Sequence, residues 1–267
     1  MKNLQDKVAI VFSASGEIAG AVARSFAQHG AKVYVTGRNL NAVKALAEGI
    51  KADGGRAEAA RVDALNETEV DDYVQKVVAD NGKLDMVFNG IGMSYGEAGV
   101  GTPTTAVPLE LFLHPFQAIC GSQFLTSRTA AKYMIQTGTE GTILLLTPAL
   151  SRSKFPNMAG ITASSAAVEG LTRVMAAELG EQGIKVICIC PNAILETTKI
   201  SGAISSAATR RGVSLEVVTE QYTRFDILKG GPTLLQVGET AAFLVSQNGA
   251  VFNSHIVDVD CGKLNIL

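Results

Sequence analysis

Residues 7–37, KVAIVFSASGEIAGAVARSFAQHGAKVYVTG, decide the fold of this chain. A short apolar run, residues 7–12, is followed by a polar turn and by a helical pattern that reaches about His29. Gly30 stands where helices commonly end in a left-handed residue, and a second apolar run follows at residues 31–37. Strand, helix and strand in this order predict a parallel βαβ unit.

The same alternation continues along the chain. Further apolar runs of strand length are residues 57–64, 84–90, 141–147, 184–191 and 255–260. Helical patterns lie between the strands and include residues 40–55, 66–82, 109–136, 159–183 and 237–247. Because most of these strands are continuously apolar, helices are predicted to cover both faces of the sheet. We therefore expect one α/β domain over residues 1–267, a doubly wound fold of about seven mainly parallel strands.

The segment from residue 197 to residue 231 has the least regular pattern in the chain. It follows the sixth predicted strand, and doubly wound folds bind ligands beyond the carboxyl ends of their strands. This segment is therefore interpreted as a mobile flap over a small-molecule ligand.

Composition argues against several classes of partner. The formal net charge is −2 and no block of five Lys or Arg residues occurs, so neither nucleic acid nor a membrane surface is expected as a partner. The polar N-terminus does not have the pattern of a signal peptide and no apolar run is long enough to span a bilayer, so a cytoplasmic protein is expected. The four cysteines lack the spacing of metal ligands, and no metal site is predicted.

Five short motifs follow the predicted strands in order. They are SASGEIAG after the first strand, NGIG after the fourth, ASSAAV on the helix after the fifth, PN after the sixth, and VDVDCG near the C-terminus. Together they resemble the short-chain dehydrogenase/reductase family. The resemblance covers nearly the whole chain and implies a Rossmann-type fold, a nicotinamide cofactor and oxidoreductase activity. Helices at residues 121–134 and 163–179 are similar to the family's paired dimerisation helices, which implies a homodimer or homotetramer.

At the nucleotide end, the family's glycine-rich turn is altered. Ser13 and Ser15 keep hydroxyl groups for a phosphate, and Ile18 matches the family's isoleucine at the start of the helix. Glu17 stands where the family has a glycine. Its carboxylate complements the positive end of the helix dipole but would repel a phosphate. Two interpretations stay open: the side chain turns to solvent, or cofactor binding is weakened or absent.

Other positions of the resemblance imply NADP(H). Arg38 follows the second strand, where an NAD site generally has an acid, and a guanidinium pairs well with a 2′-phosphate. NADP(H) is therefore favoured over NAD(H). Asp63 matches the family's adenine-contacting acid, and Asn89 and Gly90 match part of its Asn-Asn-Ala-Gly motif. The alternatives are a solvated surface charge for Arg38 and a plain turn residue for Asn89.

The chemical end departs furthest from the family. There a tyrosine acts as general acid/base, a lysine four residues later lowers its pKa, and a serine holds the substrate carbonyl. The matching positions hold Ile161, Ser165 and Pro148, and the family's helical asparagine falls on Ile119 or Ala118. The resemblance thus implies a substrate pocket at Pro148, Ile161 and Ser165 that lacks the usual proton donor.

No catalytic residue is assigned from the sequence. Tyr95, after the fourth strand, and Lys154, after the fifth, are candidate substitutes, with a surface or packing role as the alternative for each. Glu196 and Lys199 lie near the expected mouth of the pocket and are interpreted as solvated flap charges. His114 is interpreted as structural.

Three functions are compatible with these residues. The first is an atypical NADP(H)-dependent oxidoreductase that uses substitute residues or water, since hydride transfer is the cofactor's own chemistry. The second is a protein that binds a ligand or cofactor without turnover, or a partner subunit. The third is a non-redox enzyme that orients an apolar substrate for cyclisation or elimination. Fold alone does not choose among them.

Overall fold

The structure is a computed structural model that describes residues 3–263. Seven strands form one sheet in the order β3-β2-β1-β4-β5-β6-β7, and every neighbouring pair is parallel. The strands are β1 (Val8–Phe12), β2 (Lys32–Gly37), β3 (Arg56–Arg61), β4 (Met86–Asn89), β5 (Thr142–Leu146), β6 (Lys185–Pro191) and β7 (Ile256–Val259). The predicted doubly wound α/β fold is confirmed.

Helices connect successive strands and cover both faces of the sheet. They are α1 (Glu17–Gln28), α2 (Leu40–Ala52), α3 (Glu67–Asn81), α4 (Leu109–Pro115), α5 (Ser122–Gln136), α6 (Ala159–Leu179), α7 (Thr198–Arg211), α8 (Leu215–Thr223) and α9 (Leu234–Val245). A π-helical turn, Phe116–Gly121, joins α4 to α5, and 3₁₀ turns occupy Gly180–Gln182 and Gln247–Phe252.

The sheet separates two apolar cores, one on each face. Helices α1, α2 and α9 pack on one face, where Phe26, Val43 and Val237 are fully buried. Helices α3, α5 and α6 pack on the other face, with Val74 and Met134 among their buried residues. All five residues of β1 are buried, which explains the continuous apolar run that predicted it.

Helix α1 ends as the sequence predicted. Gly30 has φ +100°, a conformation that glycine adopts without a steric penalty. A Cβ atom at this position would lie 3.1 Å from the Cα of Gln5, so the N-terminal segment also passes too close for a larger residue. The chain therefore turns sharply here from α1 into β2.

The segment at residues 109–136 is not the single helix that its pattern predicted. Helix α4 stops at Pro115, and the π-helical turn follows before α5 begins at Ser122. Proline has no backbone N–H and clashes with the carbonyl four residues earlier, which interrupts regular α-helical bonding. Single π turns occur often at functional sites, and this one carries Ile119.

The predicted flap is more regular than its sequence pattern indicated. The Thr197 hydroxyl accepts from the amide of Ile200 at the start of α7, and Gly212 ends that helix with φ +62°. The Ser214 hydroxyl then accepts from the amide of Val217 in α8. Side-chain caps thus define two helices within residues 197–231, although the sequence pattern is the least regular in the chain. The mobility of the segment stays a prediction.

Within residues 3–263, every helix falls short of the combination of length and apolarity that crossing a bilayer requires.

Candidate functional site

Two adjoining cavities lie at the carboxyl ends of the strands, beside the junction between β1 and β4. The chain winds in opposite directions on the two sides of this junction, and doubly wound sheets bind their ligands there. The larger cavity has a volume of about 640 Å³ and the smaller one about 300 Å³. Residues lining both are Ser13, Ile91, Gly92, Met93 and Glu97, so the two cavities are direct neighbours and are together called the cleft.

The first turn of the fold shapes the middle of the cleft. Ser13 has φ +56°, and Gly16 precedes α1 without any side chain that caps the helix. Amide groups at a helix start have no partner within the helix, so they are available to an anion. Ser13 and Ile18 line the larger cavity, and Ser15 lines the smaller one.

Glu17 is exposed at the start of α1, but its carboxylate is held by hydrogen bonds. Its carboxylate accepts from the amide of Thr198, at 3.0 Å for each oxygen, and from the Thr198 hydroxyl at 3.1 Å. It therefore joins the first residue of α1 to the first residue of α7 across the larger cavity. A negative charge is favourable at both helix starts because each carries a partial positive charge.

The smaller cavity lies at the ends of β2 and β3. Arg38, Asp63 and Ser15 line it, as the resemblance implied for a nucleotide site. Glu97 borders the same cavity, and hydrogen bonds from Ser94 lower the pKa of its carboxyl group, with a smaller contribution from the charge of Arg38. Positive and negative side chains are thus both present at this end of the cleft.

Asn89 and Gly90 have different surroundings. Asn89 is fully buried, and its side chain accepts from the Thr126 hydroxyl and donates to the Ser127 hydroxyl at 3.0 Å. It joins β4 to α5 and lines neither cavity. Gly90 lines the larger cavity, and a Cβ atom there would lie 2.4 Å from the Cβ of Ala19. The end of β4 therefore passes so close to α1 that a side chain at residue 90 would clash with it.

The floor of the larger cavity is apolar. It includes Ile119 on the π-helical turn, Pro148 after β5 and Ile161 in the first turn of α6. Ser165 lies one helical turn after Ile161, but it is buried, donates to the Ile161 carbonyl at 2.7 Å and lines neither cavity. Thr147, beside Pro148, is also fully buried and outside both cavities. The floor thus offers a ligand no side-chain hydroxyl, acid or base.

An amine and a phenol also line the larger cavity. The Nζ atom of Lys199 lies 4.2 Å from the centre of the Tyr95 ring and donates to the carbonyl of Met93 at 2.8 Å. Desolvation lowers the pKa of Lys199, partly opposed by the charge of Glu97. Desolvation also raises the pKa of Tyr95, with a smaller contribution from Tyr222.

The remaining candidates lie away from the larger cavity. Lys154 is exposed in the loop after β5 and lines neither cavity. Glu196 accepts from the amide of Leu234 at the start of α9. His114 borders the smaller cavity, where its ring nitrogen lies 3.1 Å from the Glu97 carbonyl oxygen. Within residues 3–263, no cluster of His, Cys, Asp and Glu could hold a metal ion.

Comparison with known proteins identifies the family. A sequence profile described as enoyl-(acyl carrier protein) reductase matches residues 13–263. The chain belongs to the short-chain dehydrogenase/reductase family. It is 33% identical over 264 residues to a 7alpha-hydroxysteroid dehydrogenase of Escherichia coli (strain K12), with 99% of this chain and 96% of the relative covered.

Two further members of the short-chain dehydrogenase/reductase family are informative. The chain is 30% identical over 268 residues to (+)-cis,trans-nepetalactol synthase NEPS1 of Nepeta racemosa, covering 98% of this chain and 93% of the relative. A solved 7 alpha-hydroxysteroid dehydrogenase, complexed with NADH and 7-oxo glycochenodeoxycholic acid, superposes with a TM-score of 0.84 at 28% identity. That alignment covers 100% of this chain and 98% of the solved chain. Both the resemblance and the fold expected from the sequence are confirmed.

Proposed function

We propose that the chain is an atypical NADP(H)-dependent oxidoreductase that holds an apolar small molecule beside its cofactor. The observation that carries this proposal is that the two cavities of the cleft adjoin. One end, at Arg38 and Asp63, is charged, and the first turn and the start of α1 lie between it and an apolar end at Ile119 and Ile161. A long ligand with anionic groups and an apolar ligand fit this arrangement side by side.

The residues of the cleft fit a nicotinamide dinucleotide. Arg38 would pair with a 2′-phosphate, Asp63 would contact the adenine, and the turn at Ser13 and Ser15 would hold the diphosphate together with the backbone at Ile18. When bound, the cofactor supplies or accepts a hydride. The protein's own contribution is to bind, to orient and to exclude water.

Glu17 is the residue that opposes this fit. Its charge would repel a diphosphate, but its hydrogen bonds to Thr198 direct the carboxylate toward α7. The uncapped amides of α1 are therefore left for an anion. We infer that the dinucleotide binds with an affinity reduced by Glu17.

A second function is a binding protein or a non-redox enzyme that orients an apolar substrate. The aliphatic floor at Ile119, Pro148 and Ile161 favours it, because these side chains cannot donate a proton to a carbonyl. One relative is named a synthase rather than a dehydrogenase, which supports the same alternative.

Titration with NADPH and NADH, followed by cofactor fluorescence, tests the first proposal. We expect NADPH to bind more tightly than NADH because of Arg38, and NADPH to be oxidised when apolar ketones are added. Binding without oxidation across a panel of such ketones would favour the second function. Absence of binding at millimolar concentrations of both cofactors would refute the first.

We also propose that the protein is a homo-oligomer that associates through α5 and α6. Ala166 and Val174 are exposed on α6, and nothing lies within 4 Å of the position of a Cβ atom at Gly170. Small residues on one helix face permit close approach of a second chain. Light scattering after size-exclusion chromatography tests this, with Gly170→Trp expected to give the single-chain mass. A single-chain mass for the unaltered protein at all concentrations would contradict it.

A further inference from the structure

We propose that Lys199 and Tyr95 hold the carbonyl oxygen of an uncharged, largely apolar ligand in the larger cavity. This proposal rests on the proposed function, which places an apolar small molecule in the larger cavity. It adds the chemical class of the ligand and the two side chains that select it. Neither side chain lies on α6, the helix that carries Ile161 and Ser165.

Among the residues that the structure describes, the ionisable side chains lining the larger cavity are Glu17, Tyr95, Glu97 and Lys199. The two carboxylates only accept hydrogen bonds, and both already do so, from Thr198 and from Ser94 respectively. Within this ionisable set the donors for a ligand oxygen are the ammonium of Lys199 and the hydroxyl of Tyr95. Neutral donors also line the cavity, among them the amide of Asn192 and the hydroxyl of Ser13. Within residues 3–263 the Tyr95 hydroxyl has no hydrogen-bonding partner.

The Lys199 ammonium is held in place before any ligand arrives. It donates one hydrogen bond to the Met93 carbonyl and lies over the face of the Tyr95 ring, an attractive position for a cation. An ammonium has three donors, so two remain available. The neighbouring residue Thr198 is bonded to Glu17, which fixes the backbone that carries the lysine.

The apolar floor of the same cavity determines the rest of the ligand. Ile119, Pro148 and Ile161 can cover an apolar body but cannot satisfy polar atoms, and an unsatisfied polar atom is costly to bury. The carboxylates of Glu17 and Glu97 in the same cavity would repel an anionic ligand. A ligand with a neutral carbonyl at one end of an apolar body matches both the hydrogen-bond donors and the apolar side chains of the cavity.

The test uses a fluorescent ketone, 6-propionyl-2-(dimethylamino)naphthalene, whose emission moves to longer wavelength when its carbonyl accepts a hydrogen bond. The comparison probe has a propyl group in place of the propionyl group. We expect the protein without cofactor to bind the ketone more tightly than the propyl probe and to shift the emission of the ketone to the red. Lys199→Met, which keeps an unbranched apolar side chain, is expected to weaken ketone binding about tenfold and to reduce the red shift, while the propyl probe binds as before.

Two further variants separate this role from a structural one. Tyr95→Phe keeps the ring beneath the ammonium and should reduce the shift only in part, and Lys199→Arg should preserve most of it. Lys154→Met is the matched control, because this exposed lysine lies outside both cavities, and it should leave binding unchanged. Thermal unfolding of each variant shows whether it folds.

The proposal is overturned if the folded protein binds the ketone no better than the propyl probe. It is equally overturned if Lys199→Met and Lys154→Met have the same effect. Because these titrations omit the dinucleotide, a protein that selects the ketone through Lys199 but never binds NADPH would refute the proposed oxidoreductase function alone.

Discussion

Replacing Glu17 by glutamine should loosen the first turn of α7. In the structure this carboxylate receives three hydrogen bonds from Thr198, at 3.0, 3.0 and 3.1 Å, and no other side chain in residues 3–263 bonds the Thr198 amide. Glutamine has nearly the same shape and keeps one oxygen acceptor, but it has no charge. The substitution therefore removes the interaction between an anion and the positive start of the helix.

The expected effect is about 1–2 kcal/mol. A hydrogen bond to a charged group contributes about 1.5–3 kcal/mol, whereas an exposed charge at a helix start contributes about 0.3–1 kcal/mol. Because Glu17 and Thr198 are both exposed, the three contacts together should lie between these limits. One to two kcal/mol corresponds to a roughly 5- to 30-fold larger open population of this turn.

Hydrogen exchange measured by mass spectrometry on peptides from α7 is the appropriate assay. Glu17→Gln should speed the exchange of the first turn of α7 by that factor, and Glu17→Ala should speed it at least as much. Glu196→Gln is the matched control, because Glu196 accepts from the amide of Leu234 at the start of α9. It should affect α9 and leave α7 unchanged.

Salt provides a second check on the same reasoning. The difference between the native protein and Glu17→Gln should shrink as ionic strength rises, because exposed charges are screened. Unchanged exchange in α7, or equal changes in α7 for Glu17→Gln and Glu196→Gln, would show that Glu17 does not secure this helix.

Four other outcomes follow from the cleft. Arg38→Ala should weaken NADPH binding tenfold or more and leave NADH binding nearly unchanged in fluorescence titrations, and equal losses would contradict a 2′-phosphate contact. Gly90→Ala should lower the thermal midpoint through about 1–3 kcal/mol of overpacking, because the added Cβ lies 2.4 Å from its nearest neighbour; an unchanged midpoint would refute this. Ketone binding should be tightest below the pKa of Lys199 and weaken by up to about tenfold as pH rises through it; desolvation holds that pKa below its ordinary 10.5, so weakening only above that value would count against the assignment. Ile161→Tyr combined with Ser165→Lys should not give robust reduction, since residue 165 is only 1% exposed and a lysine there would bury its charge; a strong gain in turnover would contradict this.

The strands and most helices could be predicted from the sequence because their signals are local. The run at residues 7–12 is apolar throughout because β1 is covered on both sides. Gly30 and Gly82 mark helix ends because the chain adopts positive φ there. The prediction of a single helix over residues 109–136 was wrong in its middle. The apolar pattern continues through Pro115, but regular α-helical hydrogen bonding does not.

The candidate site could be predicted only in part. Arg38 and Asp63 line the smaller cavity, and Pro148 and Ile161 line the larger one, because each follows or faces the carboxyl end of a strand. Ser165 was expected in the pocket because it matches the position of the family's lysine. It lies instead against the Ile161 carbonyl, because small hydroxyl side chains on a helix bond to their own backbone.

The amino-acid sequence by itself determined the order of the elements, the parallel sheet and the edge at which ligands bind. These follow from apolar periodicity and from turn residues, which act over a few positions. Only the tertiary structure decided where Glu17 points, and that Lys199 stands over Tyr95 beside the cavity. Those pairs are separated by 181 and by more than 100 positions, so no local pattern records them, and packing of the loops above the sheet brings them together.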